Sequence, residues 1–228
     1  MGSRGEDSFA RFPSFAARLY DGLMKTKAID LHYREIAQDL VSRISQGRLL
    51  DVGTGPGRLL LEIHKLNPRI ELFGLDIAAA MVEQAKRNLA GIDVDLCQEN
   101  IRATDYRDDF FDLVTCSGSF YLWDKPEEGL EEVRRILRGG QSAYLYETHK
   151  DFEKDELWSM MKTSLRDENL LRRVAGPRFM MKQLKMTYRV EESVAIVEGT
   201  TFAESHEIER MTIAGLPVWI RIKLEKGA

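Results

Sequence analysis

The chain has 228 residues, a formal net charge of −4, and 43% hydrophobic against 31% charged residues, which suits one globular α/β core and excludes a molecule built as a whole to sit on nucleic acid. No apolar run reaches the roughly 20 residues that a bilayer-spanning helix needs, and the N-terminal stretch lacks the apolar core of a secretory leader. Cys97 and Cys116 are the only cysteines, too few for a disulfide framework or a zinc cluster, so the expectation is a single cytoplasmic domain over residues 1–228 with no metal site.

In chain order, residues 9–46 read as one broken or two consecutive helices. Phe12, Phe15, Ala16, Leu19 and Leu23 recur at helical spacing, as do Ile36, Leu40, Val41 and Ile44, and Gly47 is the expected stop. Leu49 and Leu50 end a buried strand closed by Asp51. Gly53, Gly55 and Gly57 then alternate through a tight turn, and Leu59, Leu60, Leu61, Ile63 and Leu66 open a helix that stops at Asn67-Pro68. Strand Ile70 to Leu75 ends in Asp76, and a helix carries Met81, Val82, Ala85 and Leu89. Strand Ile92 to Cys97, a polar loop and strand Phe111 to Cys116 follow. Pro126 suits the first turn of a helix carrying Leu130, Val133, Ile136 and Leu137, with Gly139-Gly140 as its terminator and Ala143 to Glu147 as a fifth strand. This alternation argues for a parallel, doubly wound sheet with helices on both faces. Residues 150–186 break the rhythm with a helical insertion. A helix near Glu191 to Glu198 then precedes two strands, Ser205 to Ile213 and Val218 to Leu224, joined too tightly for anything but antiparallel pairing.

A strand feeding a helix through alternating glycines needs backbone that other residues resist and lets a ligand approach closely. In an open α/β sheet this is where nucleotide-like cofactors sit. A dinucleotide fold spaces its glycines G-x-G-x-x-G, whereas here the pattern is G-x-G-x-G with Pro56 inside it, so Gly57 is expected to stay in the loop and widen it around a ligand that need not be a pyrophosphate. Arg58 is expected to point outward. Asp76, one strand later, suits a carboxylate that accepts hydrogen bonds from two ribose hydroxyls.

The stretches LLDVGTGPGRLLLEI, LFGLDIAAAMVEQAKRNL, FDLVTCSGSFYLW and LEEVRRILRGGQSAYLYE resemble the successive motifs of class I S-adenosylmethionine-dependent methyltransferases, in the branch that includes quinone-ring and other small-molecule methyltransferases. The resemblance spans about Tyr20 to Glu147. It implies a seven-stranded sheet of order 3-2-1-4-5-7-6 with the last strand antiparallel, and S-adenosylmethionine as cofactor. It places Asp51, Gly53, Thr54, Gly55 and Gly57 around the methionine half of that cofactor, Asp76 on the ribose, and Ile77 and Met81 on the adenine or ribose. Asn100 stands where the family usually carries an aspartate facing the adenine amino group, and its amide oxygen still accepts that bond. Ile101 would offer its backbone N–H, and Ser117 would meet the methionine end. The N-terminal helices that precede the sheet either simply cover one of its faces or also bring Tyr20, Asp21 or Tyr33 to the cofactor or substrate pocket.

Methyl transfer from a sulfonium is an in-line displacement, so positioning dominates, and a base is needed only when the nucleophile arrives protonated with a high pKa. Tyr121, Trp123, Asp124, Glu147, Thr148 and His149 follow strands four and five at the eligible sheet edge; His149 is the candidate base and Tyr121 the candidate ligand contact. In the insertion, Arg166, Arg172, Arg173, Arg178, Lys182, Lys185 and Arg189 face only Asp167 and Glu168 in sequence, beside Met160, Met161, Met180, Met181 and Met186. One reading is a solvated helix face over core methionines. The other is a lid with an apolar floor and a cationic rim, suited to an anionic, partly apolar small molecule. Nucleic acid and integral membrane association are not expected, and nothing in the pattern sets an oligomeric state. A non-catalytic cofactor-binding module and a methyltransferase acting on RNA or protein remain alternatives; an NAD-linked oxidoreductase is disfavoured by the glycine spacing and the closing hairpin.

Overall fold

The computed structural model describes residues 26–166 and 170–228, together with Pro13, Ala17, Arg18, Asp21 and Gly22. Phe9, Phe12, Phe15, Ala16, Leu19, Tyr20, Leu23, Asp167 and Glu168 lie outside the described residues, as does the side chain of Arg172.

Helix α1 (Lys27–Val41) is capped by Thr26, whose side chain accepts the Ile29 N–H, the usual way to satisfy a donor of the first turn. It leads through a short turn to strand β1 (Gly47–Val52), helix α2 (Arg58–Leu66), strand β2 (Ile70–Asp76), helix α3 (Ala79–Asn88) and strand β3 (Val94–Gln98). Strand β4 (Phe111–Ser117), a 3-10 turn at Phe120–Leu122, helix α4 (Pro126–Ile136) and strand β5 (Leu137–Thr148) complete the alternating part. Helices α5 (Lys154–Ser164) and α6 (Leu170–Leu184) form the helical segment, and helix α7 (Val190–Glu198) precedes the hairpin of β6 (His206–Ile213) and β7 (Leu216–Glu225).

The sheet has seven strands in the order β3-β2-β1-β4-β5-β7-β6. The pairs β1–β2, β1–β4, β2–β3 and β4–β5 are parallel, and β7 runs antiparallel to both β5 and β6. Ala214 and Gly215, at φ of 50° and 76°, form the two-residue turn of that hairpin, and its left-handed backbone matches the twist of the flanking strands.

The alternation along each strand sorts side chains into two cores. Leu49, Leu72, Leu113, Tyr144 and Tyr146 face a core shared with Ile36, Leu40, Leu59, Leu60, Ile63 and Leu89 of the first three helical segments, and with Leu157, Met161 and Leu184 of the later ones. Leu50, Val52, Val114, Cys116, Ala143 and Leu145 face the opposite core, filled by Leu130, Val133 and Ile136 of α4, with Val197 and Phe202. Both faces of the central parallel strands β1 and β4 are therefore largely dry, as such sheets require.

Two boundaries differ from the sequence reading. Helix α1 ends at Val41, and Gly47, at φ 112°, opens β1. Gly139-Gly140 does not end α4: β5 already begins at Leu137, opposite Phe111, and the pairing slips to Leu113 opposite Ser142. The glycine pair sits in that irregularity, where Gly140 at φ 75° turns its N–H onto the Lys226 carbonyl at 2.8 Å.

Helix α1 is fastened to the sheet by Asp39. Its carboxylate accepts from Arg43 and from Arg221 of β7, each at 2.8 Å, and from the Tyr146 hydroxyl of β5. Burial raises its pKa, but these donors outweigh that and hold it below the ordinary range. Asp39→Ala is expected to cost about 1–3 kcal/mol at neutral pH, the usual loss when buried partners are orphaned. A carboxylate with a depressed folded pKa stabilises above its unfolded pKa and loses that contribution as pH falls through the folded value. Urea titrations of parent and variant should therefore converge below about pH 4; a gap independent of pH would contradict the network.

Candidate functional site

The site lies at the carboxyl edge of the sheet, where β1 pairs with β2 on one side and β4 on the other. At the end of β1 the chain turns at once. Gly53 and Thr54 both donate their N–H to the Leu75 carbonyl, at 2.8 and 2.9 Å. A Cβ on Gly53, at φ 70°, would overlap the Ser119 hydroxyl, which itself donates to the Val52 carbonyl at 3.1 Å. The loops after β1, β2 and β4 are thus tied together, and a cavity of about 530 Å³ opens between them, within the size range of cofactor sites.

Asp51, Gly53, Thr54, Gly55, Asp76, Ile77, Met81, Asn100, Ile101 and Ser117 all line this cavity. The Asp76 carboxylate is fixed by the Gly55 N–H at 2.9 Å and the Ala78 N–H at 2.8 Å. Asn100 accepts the Arg102 N–H at 3.0 Å. Burial raises the pKa of both Asp51 and Asp76; for Asp51, with the Asp76 charge adding to burial, the value is pushed up to about 7. Tyr33, Tyr121, Trp123, Asp124, Lys182 and Met186 also line the cavity.

Gly57 does not. At φ 77° it forms the N-cap of α2, and a Cβ there would meet Leu89 at 2.7 Å and Ala85 at 3.2 Å. Its role is close packing of α2 on α3, whereas a Cβ on Gly55, at φ 53°, would meet nothing within 4 Å. Arg58 is not turned outward either. It folds back onto Asp21 and Asp30, each at 3.1 Å, with its side chain only 10% exposed. Asp21 is thereby fixed as part of a buried ion pair and does not line the cavity.

His149 stands off the site. Its Nδ1 accepts the Asp151 N–H at 3.2 Å and its Nε2 lies 3.3 Å from Arg210, and it lines neither this cavity nor the one beside it. Strand alternation explains this, because Thr148 takes the position that faces inward. Glu147 is likewise buried outside both cavities. It accepts the N–H of Thr148 at 2.8 Å and of Tyr121 at 3.3 Å, and burial pushes its carboxyl up to about 7 against those bonds. It is a support for the turn that carries Tyr121.

The second cavity, of about 270 Å³, adjoins the first and shares Tyr33, Ser117, Gly118, Tyr121 and Gln183 with it. Helix α1, the end of β5, helix α6 and the closing hairpin enclose it. The sequence reading names Tyr33, Ser117, Tyr121, Thr148 and Met180 of its wall but not the cavity, because these residues come from widely separated segments. Of the basic residues in the helical segment, Lys182 alone lines either cavity among the described residues. Arg178 bonds the Val174 carbonyl and Arg189 pairs with Asp151. Met161 is buried, Met160, Met180 and Met181 pack against the first core, and Met186 is 47% exposed at the cavity edge.

Residues 49–140 match the family model described as a methyltransferase domain. The chain is 33% identical over 113 residues to the demethylmenaquinone methyltransferase of Thermus thermophilus, covering 49% of this chain and 51% of that one. It is 29% identical over 155 residues to the ubiquinone/menaquinone biosynthesis C-methyltransferase of Geotalea daltonii, covering 63% and 64%. Over these stretches the chain is similar to S-adenosylmethionine-dependent methyltransferases. It spans between half and just under two thirds of the length of these two relatives. Among solved structures, a putative S-adenosylmethionine-dependent methyltransferase of Methanococcus maripaludis shares the fold with a TM-score of 0.73 at 22% identity, covering 96% of this chain and 95% of that one. The plantazolicin methyltransferase BpumL, solved with S-adenosylhomocysteine, does so with a TM-score of 0.71 at 15% identity, covering 99% and 95%.

S-adenosylmethionine is the cofactor of the methyltransferases that the chain resembles, and the residues at the first cavity fit it. The Ser117 hydroxyl at the cavity wall is buried without a hydrogen-bond partner among the described residues. The left-handed Gly55 leaves open space above it, and a buried carboxylate, Asp76, closes the end of β2. No helix among the described residues is long and apolar enough to cross a membrane.

The two glycines are expected to divide into ligand and packing roles. Gly57→Ala should cost about 2–4 kcal/mol in thermal or urea unfolding, combining left-handed strain with overpacking, while the folded fraction keeps its affinity for S-adenosylhomocysteine. Gly55→Ser should cost only the backbone term, about 1–2 kcal/mol, and weaken that affinity at least about tenfold, near 1.4 kcal/mol. Calorimetric titration beside unfolding curves separates the two, and the reverse pattern would refute the division.

Proposed function

We propose that the chain transfers a methyl group from S-adenosylmethionine to a small molecule held in the second cavity. The observation that carries this reading is the junction of the two cavities at Ser117, Gly118 and Tyr121, directly above the glycine turn. The relatives' names support a small-molecule acceptor related to quinone rings. The cofactor, when bound, supplies an electrophilic methyl on a sulfonium.

The chain's residues then have distinct tasks. Asp76, with both oxygens already fixed by backbone N–H groups, presents its remaining lone pairs to two ribose hydroxyls. Ile77 and Met81 pack on the base, beside Asn100 and the Ile101 backbone. Gly53, Thr54 and Gly55 carry the methionine end, where the Asp51 carboxylate faces the cofactor's positive charge. Tyr121 and Gln183, common to both cavities, hold the acceptor against the methyl. Orienting two reactants in this way contributes about 7–11 kcal/mol without any proton transfer. The helical segment borders the site through Lys182, Gln183 and Met186.

The reading is tested by incubating the protein with methyl-labelled cofactor and a small-molecule fraction of cell extract. Label should move to an extractable low-mass product, and retention of all label on bound cofactor would oppose catalysis. Asp76→Ala should weaken cofactor binding by about tenfold or more, the loss of charge-assisted hydrogen bonds. Because Asp51 has a folded pKa near 7, protonation below that pH removes a negative charge from the site. Affinity for S-adenosylmethionine should therefore fall as pH drops from 8 to 6, more than for the less positive S-adenosylhomocysteine. Asp51→Asn should flatten the difference; calorimetry showing equal pH slopes for both compounds would assign the charge elsewhere.

A further inference from the structure

The second cavity has a charge pattern unlike the surface above it. Among the described residues, no Asp, Glu, Lys or Arg lines it, and its ionisable side chains are His32 and two tyrosines, Tyr33 and Tyr121. His32 is held by two rings: Tyr33 stacks on it with centroids 4.7 Å apart, and Trp219 tilts over it at 4.3 Å. Its Nε2 is buried and has no hydrogen-bond partner among the described residues. Burial pushes the pKa of this imidazole down to about 3, so it is neutral at any physiological pH and offers a hydrogen bond without a charge.

A buried ring nitrogen left unpaired is costly, and such exceptions call for a partner supplied from outside the chain. Among the described residues, neither an anion nor a cation finds a counter-charge in the cavity, and a charge brought there would lose its hydration without compensation. The aromatic walls and a volume of about 270 Å³ instead suit one or two flat rings. We propose that His32 selects and positions the methyl acceptor, and that the acceptor is an uncharged ring compound whose hydroxyl or carbonyl oxygen hydrogen-bonds Nε2. The proposal rests on methyl transfer between the two cavities. It replaces the anionic acceptor suggested by the basic helical segment, since among the described residues that charge reaches the first cavity through Lys182 and does not reach the second. His32 is a positioning residue in this scheme; the neutral imidazole fixes the ring so that its nucleophilic atom faces the mouth at Ser117 and Tyr121.

The test uses the full chain saturated with S-adenosylhomocysteine, titrated by calorimetry at neutral pH with naphthol and with naphthoate, which share a ring system and differ in charge. Naphthol should bind at least about tenfold more tightly, and His32→Ala should lose about tenfold for naphthol, the scale of one buried hydrogen bond, with unchanged affinity for S-adenosylhomocysteine. His32→Gln, which keeps a polar group of similar reach, should recover part of the loss. Among the four histidines, the ring nitrogen signals of His32 should shift when naphthol is added and should not titrate between about pH 5 and 8. Equal or tighter binding of naphthoate, or naphthol binding indifferent to both substitutions, would overturn the proposal. Should His32→Ala not fold, the glutamine variant and the His32 signals decide. Failure of S-adenosylhomocysteine to bind would sink the methyl-transfer reading instead, while the naphthol and naphthoate comparison, repeated on the protein alone, would still decide the chemistry of the second cavity.

Discussion

The site depends on one backbone arrangement. Two consecutive N–H groups, of Gly53 and Thr54, converge on the Leu75 carbonyl, so β1 cannot continue past Val52 and the chain must leave the sheet beside the end of β2. Only a residue without a Cβ fits at Gly53, because Ser119 from the β4 loop closes over it to reach Val52. Three loops that could each wander are thereby fixed relative to one another. The gap left between them is where an α/β sheet with this strand order binds its ligand. Everything placed around it, including Asp51, Asp76 and Ser117, inherits its position from that turn.

The same turn shows what a sequence can and cannot disclose. Its glycines, Asp76 and the strand alternation were readable because they obey local rules: positive φ at Gly53 and Gly55, period two in the strands, a proline at the head of α4. Gly57 does stay ahead of α2 as its spacing suggests, but its packing on Leu89 and Ala85, and the fold-back of Arg58 onto Asp21, come from surroundings that local spacing does not reveal. Gly139-Gly140 looked like a helix stop, yet an early pairing of Leu137 with Phe111 drew both glycines into a strand irregularity. His149 was the natural base by position after β5. The parity of that strand turned Thr148 inward instead, and His149 met Arg210 of β6, a contact that exists only once the hairpin has docked.

The second cavity is the extreme case. Its walls join residues as far apart as His32 and Trp219, and no single segment of the sequence looks like a binding site. The hairpin supplies the link: β7 pairs with β5 so that Trp219 lies opposite Thr148, and Glu35 of α1 accepts the Ala214 N–H at the hairpin turn at 2.8 Å. Asp39 adds the second tie between α1 and the sheet. Helix α1 is thus anchored at its far side while its first turns, with His32 and Tyr33, border the cavities. The antiparallel end of the sheet, which has no part in the glycine turn, shapes the place beside it.

The electrostatics of the two cavities divide the work between them. Asp51 and Asp76 are buried carboxyls whose pKa values burial raises, which means the fold alone is a poor host for their charge. A ligand bearing positive charge would stabilise their ionised forms, so binding and deprotonation reinforce each other, and the bound state offsets part of the desolvation that the empty fold sustains. The neighbouring cavity makes no such provision: its histidine is kept neutral by the same burial, and among the described residues no charged side chain is set into its wall. A cationic donor and an uncharged acceptor can then lie side by side without competing for the same groups. Ser117, Gly118 and Tyr121, which belong to both cavities, mark the boundary across which they would meet.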